Sequence, residues 1–225
     1  MNQTRRVLQI ALLPSRTSTT EIGQVFEAHS LRYLNDHLHM SLANVGGAGD
    51  GGVDLRGWWW LPKSTKRRVK DGEMDLKKLR RIRVTGQCKA ERLRLGPKYV
   101  REMEGVMSHQ RGQSPVRKKE DPNMAVLVSQ SGFSTAAMVH ASKSTTPLLL
   151  VHLPGGQPSD DEDLDKDMVV DGAWWNLALS MDVLGGAMEL KREMVLESEE
   201  VKARVGLWHL GHRFQGVGPA VDVIT

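Results

Sequence analysis

The segment that most constrains the fold of this chain is residues 82–89, in which side-chain character alternates strictly. A period of two is the period of a β-strand, in which residues i and i+2 share a face. One face of this strand is therefore expected to pack into a core, and the opposite face to carry polar groups. The core-facing residues are Ile82, Val84, Gly86 and Cys88, and the residues of the other face are Arg83, Thr85, Gln87 and Lys89.

The remaining segments place this strand in an α/β protein. In chain order we predict a helix over 19–38, strands over 53–60 and 81–90, a helix from Pro97, a strand over 124–128, a helix over 134–142 and a strand over 147–153. Helices and strands in this order form layered α/β folds. A core is therefore expected over 19–154. An acidic linker over 155–167 and a β-rich extension over 168–225, which packs on the core, are expected to follow it.

Positive charge is concentrated in the middle of the chain. Residues 56–120 hold 20 Lys and Arg against 7 Asp and Glu. Such a basic region is the electrostatic footprint of a polyanion, usually nucleic acid, although solvated loops with no ligand have the same composition. The single cysteine, Cys88, excludes a disulfide framework and a multi-cysteine zinc site. No apolar run approaches the roughly 18 residues of a membrane span.

The first 18 residues have the composition of a mitochondrial targeting segment. They contain three arginines and several hydroxyl side chains, and no acid precedes Glu21. We therefore expect a mitochondrial location. The alternative is that residues 7–13 form a first helix or strand of the fold.

Polar groups of two strands are expected to converge on a metal site. If the strand over 53–60 pairs with residues 82–89, Asp54 comes within a few ångströms of Gln87 and Lys89. Carboxylate and amide oxygens are ligands for hard divalent cations, and an ammonium can orient or deprotonate the attacking water. We therefore expect Mg²⁺ or Mn²⁺ to be held by Asp54, Gln87 and the main-chain carbonyl of Cys88, next to Lys89.

Glu27 is the fourth candidate for this site. On the predicted helix it aligns with Leu31, Leu34 and Leu38, so it borders an apolar stripe. A carboxylate in such a position is costly unless it has a partner. A metal ion would supply that partner, and a buried salt bridge is the alternative.

Two further groups of residues bear on ligand binding. The tryptophans at 58–60 cannot all be buried on one strand face, and we favour cover by the C-terminal extension over stacking on bases. Asp50, in the glycine loop, either reaches the site or stabilises the turn. The residues expected to contact phosphates are Arg56, Lys66, Arg67, Arg68, Arg83 and Thr85.

The candidate site resembles the motif of a known enzyme family. Phe26-Glu27, then Gly-Asp-Gly-Gly-Val-Asp-Leu at 49–55, then Gln87-Cys88-Lys89, resemble the Mrr-like branch of the PD-(D/E)xK nuclease superfamily, which carries a Q-x-K half-motif. The likeness covers roughly residues 19–153. It implies a restriction-endonuclease-like sandwich, with a mixed central sheet flanked by helices. It also implies Glu27, Asp54, Gln87 and Lys89 as the active-site set.

The expected function is Mg²⁺-dependent hydrolysis of nucleic acid, DNA in the first place, in mitochondria. This activity would support maintenance of the mitochondrial genome and respiratory growth. The alternative is a catalytically weak or inactive nucleic-acid-binding module of the same fold. Gln87 stands where the superfamily more often has an acid, which leaves the site one negative charge poorer. Relatives of this fold often act as dimers, and a homodimer stays open here.

Overall fold

The computed structural model describes residues 18–47, 51–62, 79–112, 121–155, 172–197 and 200–216. Several predictions made above fall outside these ranges. They concern the targeting segment before Ser18, Asp50, the basic residues Lys66, Arg67 and Arg68, and the acidic linker after Gly155.

A six-stranded mixed sheet forms the centre of the protein. Its elements, in chain order, are α1 (Thr19–Asp36), β1 (Met40–Asn44), β2 (Leu55–Pro62), β3 (Leu79–Lys89), α2 (Pro97–Gly112), β4 (Asn123–Ser129), α3 (Thr135–Lys143), β5 (Leu148–His152) and β6 (Gly172–Trp175). The strands lie side by side in chain order. The pairs β3–β4 and β4–β5 are parallel, and the other neighbours are antiparallel. The predicted α/β class, with a mixed sheet flanked by helices, is confirmed.

The C-terminal part of the chain is β-rich, as predicted. After β6 and a π-helix (Ala178–Val183), β7 (Met188–Glu197), β8 (Glu200–His209) and β9 (His212–Arg213) form a second, antiparallel sheet. Val205, Leu207 and Phe214 of this sheet and the loop after it are buried in the same core as α1. The extension therefore packs on the central sheet and also supplies its sixth strand.

Each face of the central sheet has its own core. On one face, Phe26 and Tyr33 of α1 pack with Ile82, Val84 and Cys88 of β3. On the other face, α2 and α3 pack on β4 and β5. The core-facing side predicted for residues 82–89 is thus the α1 side, and the polar side of the same strand faces α2.

Strand β1 is an element that the sequence interpretation missed. The apolar spacing of α1 continues to Leu38, but the helix ends at Asp36, and His39 reverses the chain with a φ of 55°. Asn35 then holds β1 by two hydrogen bonds to Leu42, at 2.9 Å to its N–H and 3.2 Å to its carbonyl oxygen. A short strand directly after a helix has too few residues to show a period of its own.

The three consecutive tryptophans divide between the two faces. Trp59 is buried in the core on the α1 side, and its Nε1–H donates to the Leu38 carbonyl at 2.8 Å. Trp58 and Trp60 point to the opposite face and are only partly buried. The prediction of cover by the C-terminal extension did not include Arg81 and Arg83, which lie over the Trp58 ring.

Gly57 lets β1 and β2 approach closely, and its replacement by alanine is expected to destabilise the fold. A Cβ at this position would overlap the Ser41 carbonyl oxygen and lie 2.8 Å from the Cα of Leu42. Both neighbours are backbone atoms, so the strands would have to move apart. We expect Gly57→Ala to lower the free energy of unfolding by about 2–3 kcal/mol in urea denaturation.

The matched control for this prediction is Gly105→Ala in α2. A Cβ on Gly105 meets no heavy atom within 4 Å. Because alanine is the better helix former, this variant should gain about 0.5–1 kcal/mol. Equal losses of stability in the two variants would contradict the steric explanation for Gly57.

Candidate active site

The start of β2 and the end of β3 bring Asp54 next to the Gln87–Cys88–Lys89 segment. Leu55 pairs with Gly86, and the Asp54 N–H donates to the Gly86 carbonyl at 2.9 Å. The Asp54 carboxylate turns towards β3, where its Oδ2 accepts the Cys88 N–H at 2.6 Å. The predicted juxtaposition of Asp54 with this segment is therefore present in the structure.

Gln87 is buried, and the glycine loop sets the orientation of its amide. Its Nε2 donates to the Gly52 carbonyl at 2.8 Å, so the reverse orientation would place two oxygens against each other. Gly52 has a φ of 78°, and a Cβ there would lie 2.9 Å from Gln87 Nε2. A side chain at residue 52 is thus excluded both by backbone conformation and by the Gln87 amide.

The other amide atom of Gln87 is a buried oxygen without a partner. Within the described parts of the chain, Gln87 Oε1 accepts no hydrogen bond. Leaving such an oxygen unsatisfied costs about 1–3 kcal/mol. An amide oxygen is a good ligand for Mg²⁺ or Mn²⁺, and such an ion would supply the missing partner.

Glu27 reaches the same region from α1. Its Oε2 accepts from the Asn44 Nδ2 at 3.1 Å, and Asn44 in turn accepts from the Gly46 N–H at 2.9 Å. A Cβ placed on Gly46 would lie 3.6 Å from Glu27 Oε2 and 3.6 Å from the Asp54 Cα. The Glu27 carboxylate and the Asp54 backbone therefore border one small space. Among the described residues no cation pairs with Glu27, so the salt-bridge alternative is not realised there.

Cys88 is a buried residue whose N–H is bound by the Asp54 carboxylate. Burial is the largest cause and raises the pKa of the Cys88 thiol far above its usual range. A hydrogen bond with Ser30 lowers this pKa, the Asp54 and Glu27 carboxylates raise it, and the Lys89 ammonium lowers it. Cys88 is thus a neutral, buried thiol rather than a nucleophile.

The main-chain carbonyl of Cys88 is on the Asp54 side of β3. Successive residues of a central strand direct their backbone groups to alternate neighbours. The Lys89 carbonyl accepts from the Gln130 N–H on the β4 side, and the Gly86 carbonyl accepts from Asp54 on the β2 side. Cys88 is two residues after Gly86 and therefore directs its backbone groups to the same neighbour, β2. Its N–H donates to Asp54 on that side, so its carbonyl also faces β2.

The residues predicted to contact phosphates have different surroundings. Arg56 and Arg83 are exposed on the strand face that continues from Gln87 and Lys89. Thr85 is 2% exposed, and its hydroxyl donates to Gln110 Oε1 at 3.1 Å. Helix α2 covers this part of the face, so the assignment of Thr85 to ligand contact was wrong.

The site offers hard oxygen donors and few charges. In the described ranges there is no group of three or more His, Cys, Asp and Glu side chains that could hold a metal. The candidate donors are instead two carboxylates, one amide oxygen and one main-chain carbonyl. Sequence reasoning missed Asn44 and Gly52, which orient Glu27 and Gln87. The glycine pair before Val53 is a sequence signal that could have indicated Gly52. No such signal indicates Asn44, because its position depends on β1, which the sequence pattern does not reveal.

The family comparison applies to the part of the chain that holds this site. The family described as "Required for respiratory growth protein 7" matches residues 18–181, well over half of the chain. The chain belongs to this family. The family is one required for respiratory growth, and the matched range includes every residue of the candidate site.

One relative supports the cellular location. A mitochondrial protein of Schizosaccharomyces pombe, named as uncharacterised, is 26% identical over 140 residues, which are 62% of this chain and 47% of the relative. The chain therefore spans about half the length of the relative that it matches. With the family match, this confirms the predicted mitochondrial location. No solved structure is significantly similar to the chain. No helix in the described part of the chain is long and apolar enough to cross a membrane.

Proposed function

We propose that this chain is a metal-dependent phosphodiesterase of the PD-(D/E)xK type that acts on nucleic acid, with DNA as its substrate. In mitochondria this activity would serve genome maintenance, on which respiratory growth depends. The observation that carries the proposal is the buried, unpartnered oxygen of Gln87, the residue next to the Cys88 N–H that the Asp54 carboxylate accepts. A purely structural glutamine at that position would satisfy both of its amide atoms.

The donor set fits Mg²⁺ or Mn²⁺. Asp54, Gln87 Oε1 and the Cys88 carbonyl would hold the ion, and Glu27 would contribute the second carboxylate. All of these are hard oxygen ligands, which these cations prefer. When bound, the ion would polarise the scissile phosphate and lower the pKa of a coordinated water.

Lys89 is the residue proposed to act on the attacking water. It lies two residues after Gln87 on the same strand face, and it is close enough to Cys88 to influence the thiol electrostatically. Its ammonium would orient the water and stabilise the negative charge that develops on the phosphate. Asp54 and Gln87 are already held by Cys88 and Gly52, so little reorganisation is needed.

The decisive experiment is a cleavage assay with the full chain. Supercoiled, linear and branched DNA and RNA are each incubated with Mg²⁺, Mn²⁺, Ca²⁺ or EDTA, beside the Lys89→Ala variant. We expect cleavage with Mg²⁺ or Mn²⁺ only, and its loss in Lys89→Ala at an unchanged thermal midpoint. Equal cleavage by wild type and variant would reveal a contaminating nuclease and overturn the proposal.

A nucleic-acid-binding module without catalysis is the second candidate. The neutral side chain of Gln87 favours it, because the described donor set then has only two negative charges. Such a module would bind nucleic acid in a salt-dependent manner, with the affinity falling by about 0.9 log units per tenfold rise in salt for each neutralised phosphate. Binding of this kind without cleavage under any of the four ion conditions would favour this candidate.

Gln87→Glu is expected to increase ion dependence and decrease intrinsic stability. The new carboxylate adds a negative charge to the donor set but loses the hydrogen bond to Gly52 and faces its carbonyl oxygen. Without a divalent ion, we expect a loss of about 1–3 kcal/mol in the free energy of unfolding. With Mg²⁺, the thermal midpoint should rise more than in wild type, because binding stabilises the folded state.

Gln130→Glu provides the matched control for this variant. Its amide also donates to a main-chain carbonyl, that of Gly155, at 3.1 Å. This variant should lose stability without gaining a response to Mg²⁺. If both variants responded equally to Mg²⁺ in thermal denaturation, the assignment of Gln87 as a metal ligand would be wrong.

A further inference from the structure

We propose that Trp58 and Arg81 form a stacking platform for an unpaired nucleobase, so that the site prefers single-stranded nucleic acid. The inference rests on the proposed function for the nature of the ligand and concerns a surface next to the active site. This surface is formed by the parts of β2 and β3 that lie beyond Thr85, where α2 covers the sheet. On this face the exposed residues are arginines, and they surround a tryptophan ring.

The arginines lie on the tryptophan in cation–π geometry. The Cζ of Arg81 is 4.4 Å from the centroid of the Trp58 ring, and the Cζ of Arg83 is 5.2 Å from it. Both distances are within the roughly 6 Å at which such contacts are attractive. Trp58 is the direct cross-strand partner of Arg83, so the β2–β3 register builds the cluster.

Arg81 is held at one edge of its guanidinium and is still accessible to solvent. Its Nε lies 2.7 Å from Asp121 Oδ2, and this hydrogen bond lies in the guanidinium plane and occupies an edge. The Arg81 Cζ also lies over the Trp58 ring. The Arg81 side chain is nevertheless 47% exposed. A flat cation that is fixed at one edge and lies over an aromatic ring thus keeps nearly half of its side-chain surface accessible to a ligand.

Such a plane suits an unpaired base. Bases stack on aromatic rings and on guanidinium planes, whereas the bases of a duplex already stack on their neighbours. Arg56 and Arg83, exposed on the same face, supply positive charge for the flanking phosphates. Because Arg81 is fixed by Asp121 and Trp58 before binding, a base would lose less side-chain entropy on docking there.

The register also sets the distance between the platform and the active site. Arg81 and Gln87 are both on β3 and share a face, six residues apart. At about 3.4 Å per residue, this separation is about 20 Å. It corresponds to about six nucleotides of a strand whose bases keep the duplex rise of 3.4 Å per nucleotide. The platform should therefore contribute to the binding only of strands that extend about six nucleotides from the site.

The test measures binding of fluorescein-labelled oligodeoxythymidylates of 4 to 20 nucleotides, and of a 20-base-pair duplex, in EDTA so that no strand is cut. Arg81→Lys keeps the charge but not the plane, and Trp58→Leu removes the supporting ring. We expect each to weaken single-strand binding about tenfold and duplex binding less than twofold. Trp58→Phe should keep most of the affinity, and Arg192→Lys on β7 is the charge-matched control.

Each outcome decides the proposal. Equal losses for single strand and duplex would show that the cluster has no preference for unpaired bases and would overturn it. No loss in Arg81→Lys would show that only the charge matters and would also overturn it. Absence of a step in affinity between four and about eight nucleotides would also contradict the platform position. Since binding is measured without metal, a wild type that shows the Arg81-dependent preference but never cleaves would refute the nuclease and leave the platform standing. A wild type that cleaves, together with unchanged binding in both variants, would refute the platform and leave the nuclease standing.

Discussion

Asp54→Asn should reduce the rate of Mg²⁺-dependent cleavage by about a thousandfold or more while the protein stays folded. The Cys88 N–H can still donate to the asparagine oxygen, so the shape of the site is retained. What is lost is one of two carboxylates in a donor set that is already poor in charge. Removal of a single preorganised electrostatic group in an active site typically costs about 10²–10³ in rate, and the loss of a metal ligand adds to this.

The stability of the same variant tests the interpretation independently. The Cβ position of Gly46 is 3.6 Å from Glu27 Oε2 and 3.6 Å from the Asp54 Cα, so two residues of like charge border one small space in the folded protein. Removing one of them should leave the thermal midpoint in EDTA unchanged or higher. In calorimetry, wild type should bind Mg²⁺ or Mn²⁺, and Asp54→Asn should show no binding.

Asp182→Asn, an exposed residue of the π-helix, is the matched control and should keep wild-type cleavage. Single-turnover rates of the two variants, measured at saturating protein, separate catalysis from binding. Cleavage by Asp54→Asn within tenfold of wild type would exclude Asp54 as a metal ligand. A marked fall in its thermal midpoint would show that Asp54 has a structural role instead.

The part of this site that could be predicted from the sequence is the part that alternation determines. A period of two in residues 82–89 fixes which side chains share a face, and the glycine loop before Val53 fixes where β2 begins. Together they place Asp54 next to the Gln87–Cys88–Lys89 segment, where the structure has its carboxylate on the Cys88 N–H. The alternation of side chains agrees with the tertiary arrangement here, because the pairing of β2 with β3 determines which side chains share a face.

What the sequence could not supply is the cover over each face. Thr85 was assigned to a ligand because alternation gives a side and says nothing of what packs on it, and α2 packs there through Gln110. Asn44 was missed because β1 follows α1 too closely to be recognised. Trp58 was expected to be covered by the C-terminal extension. Trp59 is buried in the core on the α1 side of the sheet, so its neighbour Trp58 must point to the opposite face, and the sequence alone does not show which tryptophan enters the core.

Asn176→Ala should cause the largest loss of stability of any single substitution considered for this protein. The side chain is 1% exposed, and five main-chain groups bond to it. Its Oδ1 accepts from Leu148 and Leu179 at 3.1 and 3.0 Å. Its Nδ2 lies 3.2, 3.1 and 2.8 Å from the carbonyl oxygens of Ala141, Ser144 and Thr146. One residue thus joins the end of α3, the start of β5 and the π-helix.

The expected loss is about 3–5 kcal/mol in the free energy of unfolding, measured by urea denaturation. Alanine would leave several buried main-chain groups without their Asn176 partner. Asn35→Ala is the matched control, since Asn35 makes only two such bonds, to Leu42, in a partly buried position. It should cost about 1–2 kcal/mol. Similar losses in the two variants would mean that water replaces Asn176, and that the extension is held to the sheet by apolar packing alone.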